Sequence, residues 1–168
     1  MKTDFAILAA VAASPTHPYQ VLDHLTAAGI KATRSTVYRR VDALVEEGLL
    51  RADDGRGESG HLRRALSLTG AGKKQLASEV AAVLQAESLE SPLFTIAIES
   101  TAVCEAGVAD AILRQRMASA ARRLTSEEGT LRTETEPTGA WSRASRERTV
   151  AHLQADIAWL QRVVRRTA

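Results

Sequence analysis

T-R-S-T-V-Y-R-R-V-D-A-L-V-E-E-G-L-L, running from Thr33 to Leu50, reads as one amphipathic helix stopped by Gly48. At about 100° per residue, Val37, Val41, Leu44 and Val45 gather on one side, while Ser35, Arg39 and Ala43 point the other way. One face belongs to a core and the other to a partner. Arg34, Arg39 and Arg40 lie in the first half, and Glu46 and Glu47 close the last turn, so a polyanion is met by the N-terminal half. Ser35 is the preferred cap, with Thr33 the alternative, because either hydroxyl can accept a bond from an unpaired backbone N–H.

Working outward, Phe5 to Ala13 is apolar almost throughout and suits a short buried helix ended by Ser14-Pro15. His17-Pro18-Tyr19 starts a second helix, with proline at a first helical position, Val21, Leu22 and Leu25 as its apolar stripe and Gly29 as its stop. Ile30 to Thr33 joins it to the third. Three helices with short turns predict a helix-turn-helix. Beyond Gly48, Leu49-Leu50-Arg51 reads as a brief strand, Asp53 to Gly60 as a turn-rich tip, and Leu62 to Leu68 as the returning strand. Leu66 and Leu68 have the spacing of a buried face, which Arg64 shares. Thr69 caps a further helix towards Glu87, whose first turn is weakened by Gly70 and Gly72.

The chain has 168 residues and 45% hydrophobic content, enough for one domain or two small ones. Few aromatics and abundant Ala, Leu, Val, Arg and Glu favour a mainly α protein. The net charge of +2 decides little, and residues 1 to 70 hold nine Lys or Arg against eight Asp or Glu. Lys31 to Arg40, however, contains four cations and no anion. The basicity is a local patch. A single cysteine, scattered histidines and the lack of a phosphate-binding loop or nucleophile-base pair argue against a metal site, a cofactor or catalysis. With no signal peptide pattern and no apolar run near the roughly 20 residues that span a bilayer, a cytoplasmic location without membrane contact is expected.

Ser91-Pro92 marks the expected boundary, giving residues 1–90 as one domain and 91–168 as another. Leu93 to Cys104 fits a buried strand or a helix on periodicity alone, and helix is adopted because its surroundings are helical. A longer helix is expected from Gly107 to about Glu134, then a turn at Pro137-Thr138-Gly139 and a last helix from Trp141 to Arg166. In that helix Val150, Leu153, Ile157, Leu160 and Val164 alternate steps of three and four, the period of a packing seam. The seam is read as a homodimer interface. Its alternative is an intrachain pairing with residues 107–134.

Together these motifs resemble a winged helix-turn-helix, and over residues 5 to 75 they resemble the PadR family of transcriptional regulators. His17-Pro18-Tyr19-Gln20 is similar to the family's H-G-Y-E element. Ser35-Thr36-Val37-Tyr38, Leu44 and Glu47-Gly48-Leu49-Leu50 resemble its G-T-L-Y, L and E-G-L-[VIL] helix. Gly60-His61-Leu62-Arg63-Arg64 and Leu68-Thr69-Gly70-Ala71-Gly72 resemble the wing and its L-T-x-x-G ending. Ala158-Trp159-Leu160 resembles the W-L of the C-terminal dimerisation helix. Pro18 in place of glycine and Ala65-Leu66 in place of an aromatic pair are departures, and neither removes a positive charge. The resemblance implies a mainly α fold: an N-terminal winged helix-turn-helix with a small β-hairpin wing, then a C-terminal helical dimerisation domain that also suits an effector. It further implies a homodimeric repressor of a palindromic operator in double-stranded DNA, released by a small molecule.

For DNA contact the expected residues are Lys31, Arg34, Ser35, Thr36, Tyr38, Arg39 and Arg40 on or before the third helix, and Arg56, Arg63 and Arg64 on the wing. Arg39, opposite the apolar face, is the first choice for reading a base, against a merely solvated arginine. Arg40 is assigned to phosphate, and Tyr38 either to phosphate or to the core alone. Arg64 has a second reading, an ion pair with Asp53 or Asp54. Trp159 and Trp141 are the candidates for an effector pocket, with seam packing the alternative for Trp159. Cys104 is either buried filler or a redox sensor. The competing function is a winged-helix protein-interaction module without DNA binding, suggested by the near-neutral charge of residues 1 to 70.

Overall fold

Thr33, rather than Ser35, begins the helix on which the sequence turns: its Oγ1 accepts the Thr36 N–H at 3.2 Å. Ser35 already lies inside that helix. The computed structural model describes residues 2–14, 16–56, 62–133 and 140–166. Helices α1 (Lys2–Ala13), α2 (Pro18–Ala27) and α3 (Arg34–Glu46) are followed by strands β1 (Leu50–Arg56) and β2 (Leu62–Leu68). Then come α4 (Gly70–Ala86), α5 (Pro92–Glu99), a single 3-10 turn (Thr101–Val103), α6 (Val108–Thr133) and α7 (Ala140–Arg166). Gly60, His61 and the turn expected at Pro137-Thr138-Gly139 lie outside the described residues.

Both turns around α3 close by the same device. Gly29 and Gly48 have φ of 74° and 71°, a left-handed conformation that costs glycine little. The N–H groups of Ile30 and Leu49 then reach back to the carbonyls of Leu25 and Leu44, at 2.8 and 2.9 Å. Val37, Val41 and Leu44 are buried with Phe5, Ile7 and Leu8 of α1 and with Val21 and Leu25 of α2. The apolar stripe read from the sequence is therefore the face that seats α3.

The hairpin is antiparallel, with Leu50 opposite Leu68 and Arg56 opposite Leu62. Thr16 adds a third, one-residue rung: its carbonyl accepts the Leu66 N–H at 2.8 Å and its own N–H donates to Leu66 at 3.4 Å. His17-Pro18-Tyr19-Gln20 acquires a physical meaning beside this rung. The Gln20 Oε1 accepts the His17 N–H at 3.0 Å and the Thr16 hydroxyl at 3.1 Å, closing the start of α2. His17 Nδ1 lies 3.0 Å from the Arg64 carbonyl, which can only accept, so that nitrogen carries the proton. The motif thus joins α2 to the wing.

The chain divides into two compact units, Met1–Ala106 and Gly107–Ala168. The division falls after α5, beyond the Ser91-Pro92 position, because Leu93, Phe94, Ile96 and Ala97 of α5 are buried in a first unit where α5 packs on α1 and α4. Residues 93–104 are helical as far as Glu99 and in the 3-10 turn, which resolves the strand-or-helix ambiguity for helix. Cys104 points its thiol towards the Ala77 carbonyl, 3.8 Å away, and burial pushes its pKa up, so the reactive thiolate is disfavoured.

In the second unit α6 and α7 pack against each other as a hairpin. Leu113, Leu153, Leu160 and Val164 are buried, while Val150 and Ile157 of the same seam are half-buried. Three of the five seam positions are therefore covered within one chain. Arg146 and Gln154 of α7 reach Glu127 and Glu128 of α6 at 3.4 and 3.3 Å. No helix among the described residues is long and apolar enough to cross a membrane.

Candidate nucleic-acid interface

The first two turns of α3 present a patch of hydroxyls and cations. Thr33 Oγ1 lies 2.9 Å from the Thr36 hydroxyl and 3.1 Å from the Ser35 hydroxyl, so three oxygens cluster where the helix's unpaired N–H groups point outward. Lys31, Arg34, Ser35 and Arg39 are exposed, and Thr36 and Tyr38 are half-buried. The Arg34 guanidinium lies 5.5 Å from the centre of the Tyr38 ring, one turn on. That contact holds Tyr38 at the edge of the patch, its ring between core and surface. The positive end of the helix dipole adds to the same field.

The arginines expected to meet DNA separate into two groups. Arg39 has no ion-pair partner among the described residues, and its exposed side chain stands opposite the buried stripe of Val37, Val41 and Leu44. Arg40, by contrast, donates through Nε to Asp4 of α1 at 2.6 Å. Arg64 is bound to Asp42 of α3 rather than to Asp53 or Asp54. Asp53 is instead engaged by Arg51 at 3.0 Å. The reason is direction: Arg64 shares the face of β2 that buries Leu66, and that face looks towards the helices. Arg63 and Arg56 sit opposite Gly55 and Leu62 in the strand register, and their side chains lie outside what is described.

The Arg64 pairing answers an objection raised by the sequence. Asp42 lies one turn beyond Arg39 and would repel phosphate; paired with Arg64, it no longer presents a free carboxylate to the groove side. Glu46 and Glu47 remain exposed at the far end of α3. Only the N-terminal half of the helix is suited to a polyanion.

The Arg40–Asp4 pair fixes α3 to α1. Burial pushes the Asp4 carboxyl up, but the hydrogen bond and charge of Arg40 outweigh it and hold the group below its ordinary 3.8. A carboxyl depressed in the folded state contributes stability above its unfolded pKa and loses it as pH falls through the folded value. The pair should therefore leave thermal stability flat from about pH 7 to pH 5 and weaken it below about pH 4. In melts at a series of pH values, Asp4→Asn is expected to lie below the parent at neutral pH and to converge on it in acid. A constant gap at all pH values would show that the pair adds nothing to acid sensitivity.

Trp141, taken as an effector candidate, is 88% exposed, whereas Trp159 is half-buried on α7 beside Leu160. Neither lies in the first unit. Sequence reasoning did not single out Asp4, Asp42 or His17 as the residues that hold α3, α1 and the wing together. Their partners lie 36, 22 and 47 positions away, beyond the reach of any local pattern.

Residues 7–78 match the model of the transcriptional regulator PadR-like family. No curated protein matches the chain. Among solved structures, Bacillus subtilis PadR in complex with operator DNA is similar at 13% identity and a TM-score of 0.46, with 98% of each chain covered. The same protein in complex with p-coumaric acid is similar at 13% identity and a TM-score of 0.40, with 99% of each chain covered. A PadR family transcription regulator from Clostridium difficile R20291 is similar at 17% identity and a TM-score of 0.46, over 49% of this chain and 88% of that one.

Proposed function

We propose, from the premise that this chain belongs through residues 7–78 to the PadR-like family of transcriptional regulators, that it binds double-stranded DNA sequence-specifically through the N-terminal half of α3. The observation that carries the reading is the exposed patch of Lys31, Arg34, Ser35 and Arg39 on a helix whose opposite face is buried. Arg39 reads a base edge, and Ser35 and Thr36 contact base edges or nearby phosphates. Lys31, Arg34 and Tyr38 meet the backbone of the duplex, and Arg56 and Arg63 extend the grip along the wing. Arg40 and Arg64 reach phosphate only with what their carboxylate partners leave free.

The active form is a homodimer on a palindromic operator, acting in the cytoplasm as a repressor released by a small molecule. A two-helix hairpin cannot enclose a core by itself, and Val150, Ile157 and Trp159 remain half-buried on α7, an apolar remainder suited to a second copy. Leu153, Leu160 and Val164 then support the interface from inside the hairpin.

A binding titration on the DNA upstream of the protein's own gene, at several salt concentrations, tests the reading. Preference over random duplex is expected, with an affinity that falls steeply with salt, by a log-log slope of about 0.9 per phosphate contacted. Equal affinity for random duplex would remove sequence specificity. A stable dimer with no DNA affinity even at low salt would favour a protein-interaction module instead.

A further inference from the structure

We propose that the groove between α1, α2 and α5, within the first unit, binds a lipophilic organic cation. Its volume of about 710 Å³ lies within the range of small-molecule sites. The space exists because α1 turns short side chains towards it: Ala9 and Ala13 leave room that Leu25 of α2 and Ile96 of α5 border with apolar surface. A ring system fits against walls of this kind, gaining burial without displacing side chains.

Charge selects the class of ligand. Glu90 and Glu99 line the groove, and no lysine or arginine does. An anion would meet two carboxylates with no compensating cation, and an apolar wall beside them lowers the local dielectric and strengthens the discrimination. His24, also in the lining, sits in the last turn of α2 and offers a hydrogen-bonding ring rather than a fixed charge at neutral pH. The ligand is therefore a compact apolar body carrying a positive charge.

The groove is also placed to affect α3. Its α2 wall leads through Gly29 into α3, and its α1 wall belongs to the helix whose Asp4 holds Arg40. A molecule wedged between α1 and α2 would act on both supports. The role of this ligand as the effector rests on the DNA-binding reading above; its binding does not.

The test uses two ions of one shape and opposite charge, tetraphenylphosphonium and tetraphenylborate, titrated into the full chain without DNA. Tetraphenylphosphonium is expected to bind saturably, one per chain, and tetraphenylborate at least about tenfold more weakly. The Glu90→Gln, Glu99→Gln double variant should lose about tenfold in phosphonium affinity and most of the discrimination, with an unchanged melting curve. Ala13→Phe, at an exposed alanine of the lining, should block both ions. Equal affinity for the two ions, indifference to both variants, or no saturation by about 1 mM phosphonium would overturn the site. Loss of dimer on Ala13→Phe or on adding phosphonium would overturn it in favour of a second copy in the groove. In a final arm, DNA affinity is measured with phosphonium bound: weakened binding is expected, and unchanged binding would overturn the effector role while leaving the site. Absence of any DNA affinity would instead count against the proposed function.

Discussion

Replacing Arg39 by alanine is expected to cost about 1–3 kcal/mol of binding to the cognate duplex and to relax base preference at one position of each half-site. The argument rests on a contrast among arginines of similar sequence context. Arg40 and Arg64 are drawn into ion pairs with Asp4 and Asp42, whereas Arg39 is exposed and has no such partner among the described residues. A guanidinium held inside the fold has donors already committed, and one that is free can place its planar fork on a guanine edge with two bonds. Arg39→Lys separates the two roles. Lysine keeps the charge and loses the fork, so a base-reading arginine should lose specificity with that change, while a phosphate contact should survive it. Parallel titrations of cognate and random duplexes decide the matter: an equal loss on both would reassign Arg39 to the backbone of the DNA.

The same contrast marks where the sequence could be read and where it could not. The position of α3 was legible because its apolar residues recur at helical spacing and Gly48 ends it, both local facts. Which hydroxyl caps it was not, since Thr33 and Ser35 differ only in how the chain enters the helix. The partners of Arg40 and Arg64 depend on contacts between distant elements, so charge runs alone assigned both to DNA. On α7 the steps of three and four announced a seam, but periodicity does not say whose surface fills it. The fold covers Leu153, Leu160 and Val164 within one chain and leaves Val150 and Ile157 half-buried. The Trp141 indole, an effector candidate on chemistry, stands 88% exposed, while the groove between α1, α2 and α5 is made chiefly of alanines that no motif would single out.

Gly72 was legible only as a weakness in the start of α4, and the structure gives it the opposite significance. A Cβ on Gly72 would lie 2.0 Å from the Leu49 carbonyl oxygen and 3.1 Å from Leu68 Cδ2. The first contact is with backbone, which cannot rotate aside as a side chain can. That carbonyl is also fixed from the other direction, since it accepts the Thr69 N–H at 3.1 Å. The Thr69 hydroxyl in turn donates to the Gly48 carbonyl at 2.7 Å and accepts the Gly72 N–H at 3.0 Å. Leu68-Thr69-Gly70-Ala71-Gly72 is thus the clasp that sets α4 against the end of α3. Gly72→Ala should destabilise the first unit by about 2–3 kcal/mol, the upper part of the cost of overpacking. Its melting transition should fall by about 5–10 °C. DNA affinity should fall with it even below the transition, because the displaced Leu49 directly follows the turn that ends α3. Gly70→Ala is the matched control: it lies in the same first turn, with φ not in the left-handed region and nothing within 4 Å of the added Cβ. There the lost flexibility of the unfolded chain should make alanine neutral or stabilising, by about 0.4–1 kcal/mol. Equal melting temperatures for the two variants would show that Gly72 serves the helix start alone and not the close approach of α4 to Leu49.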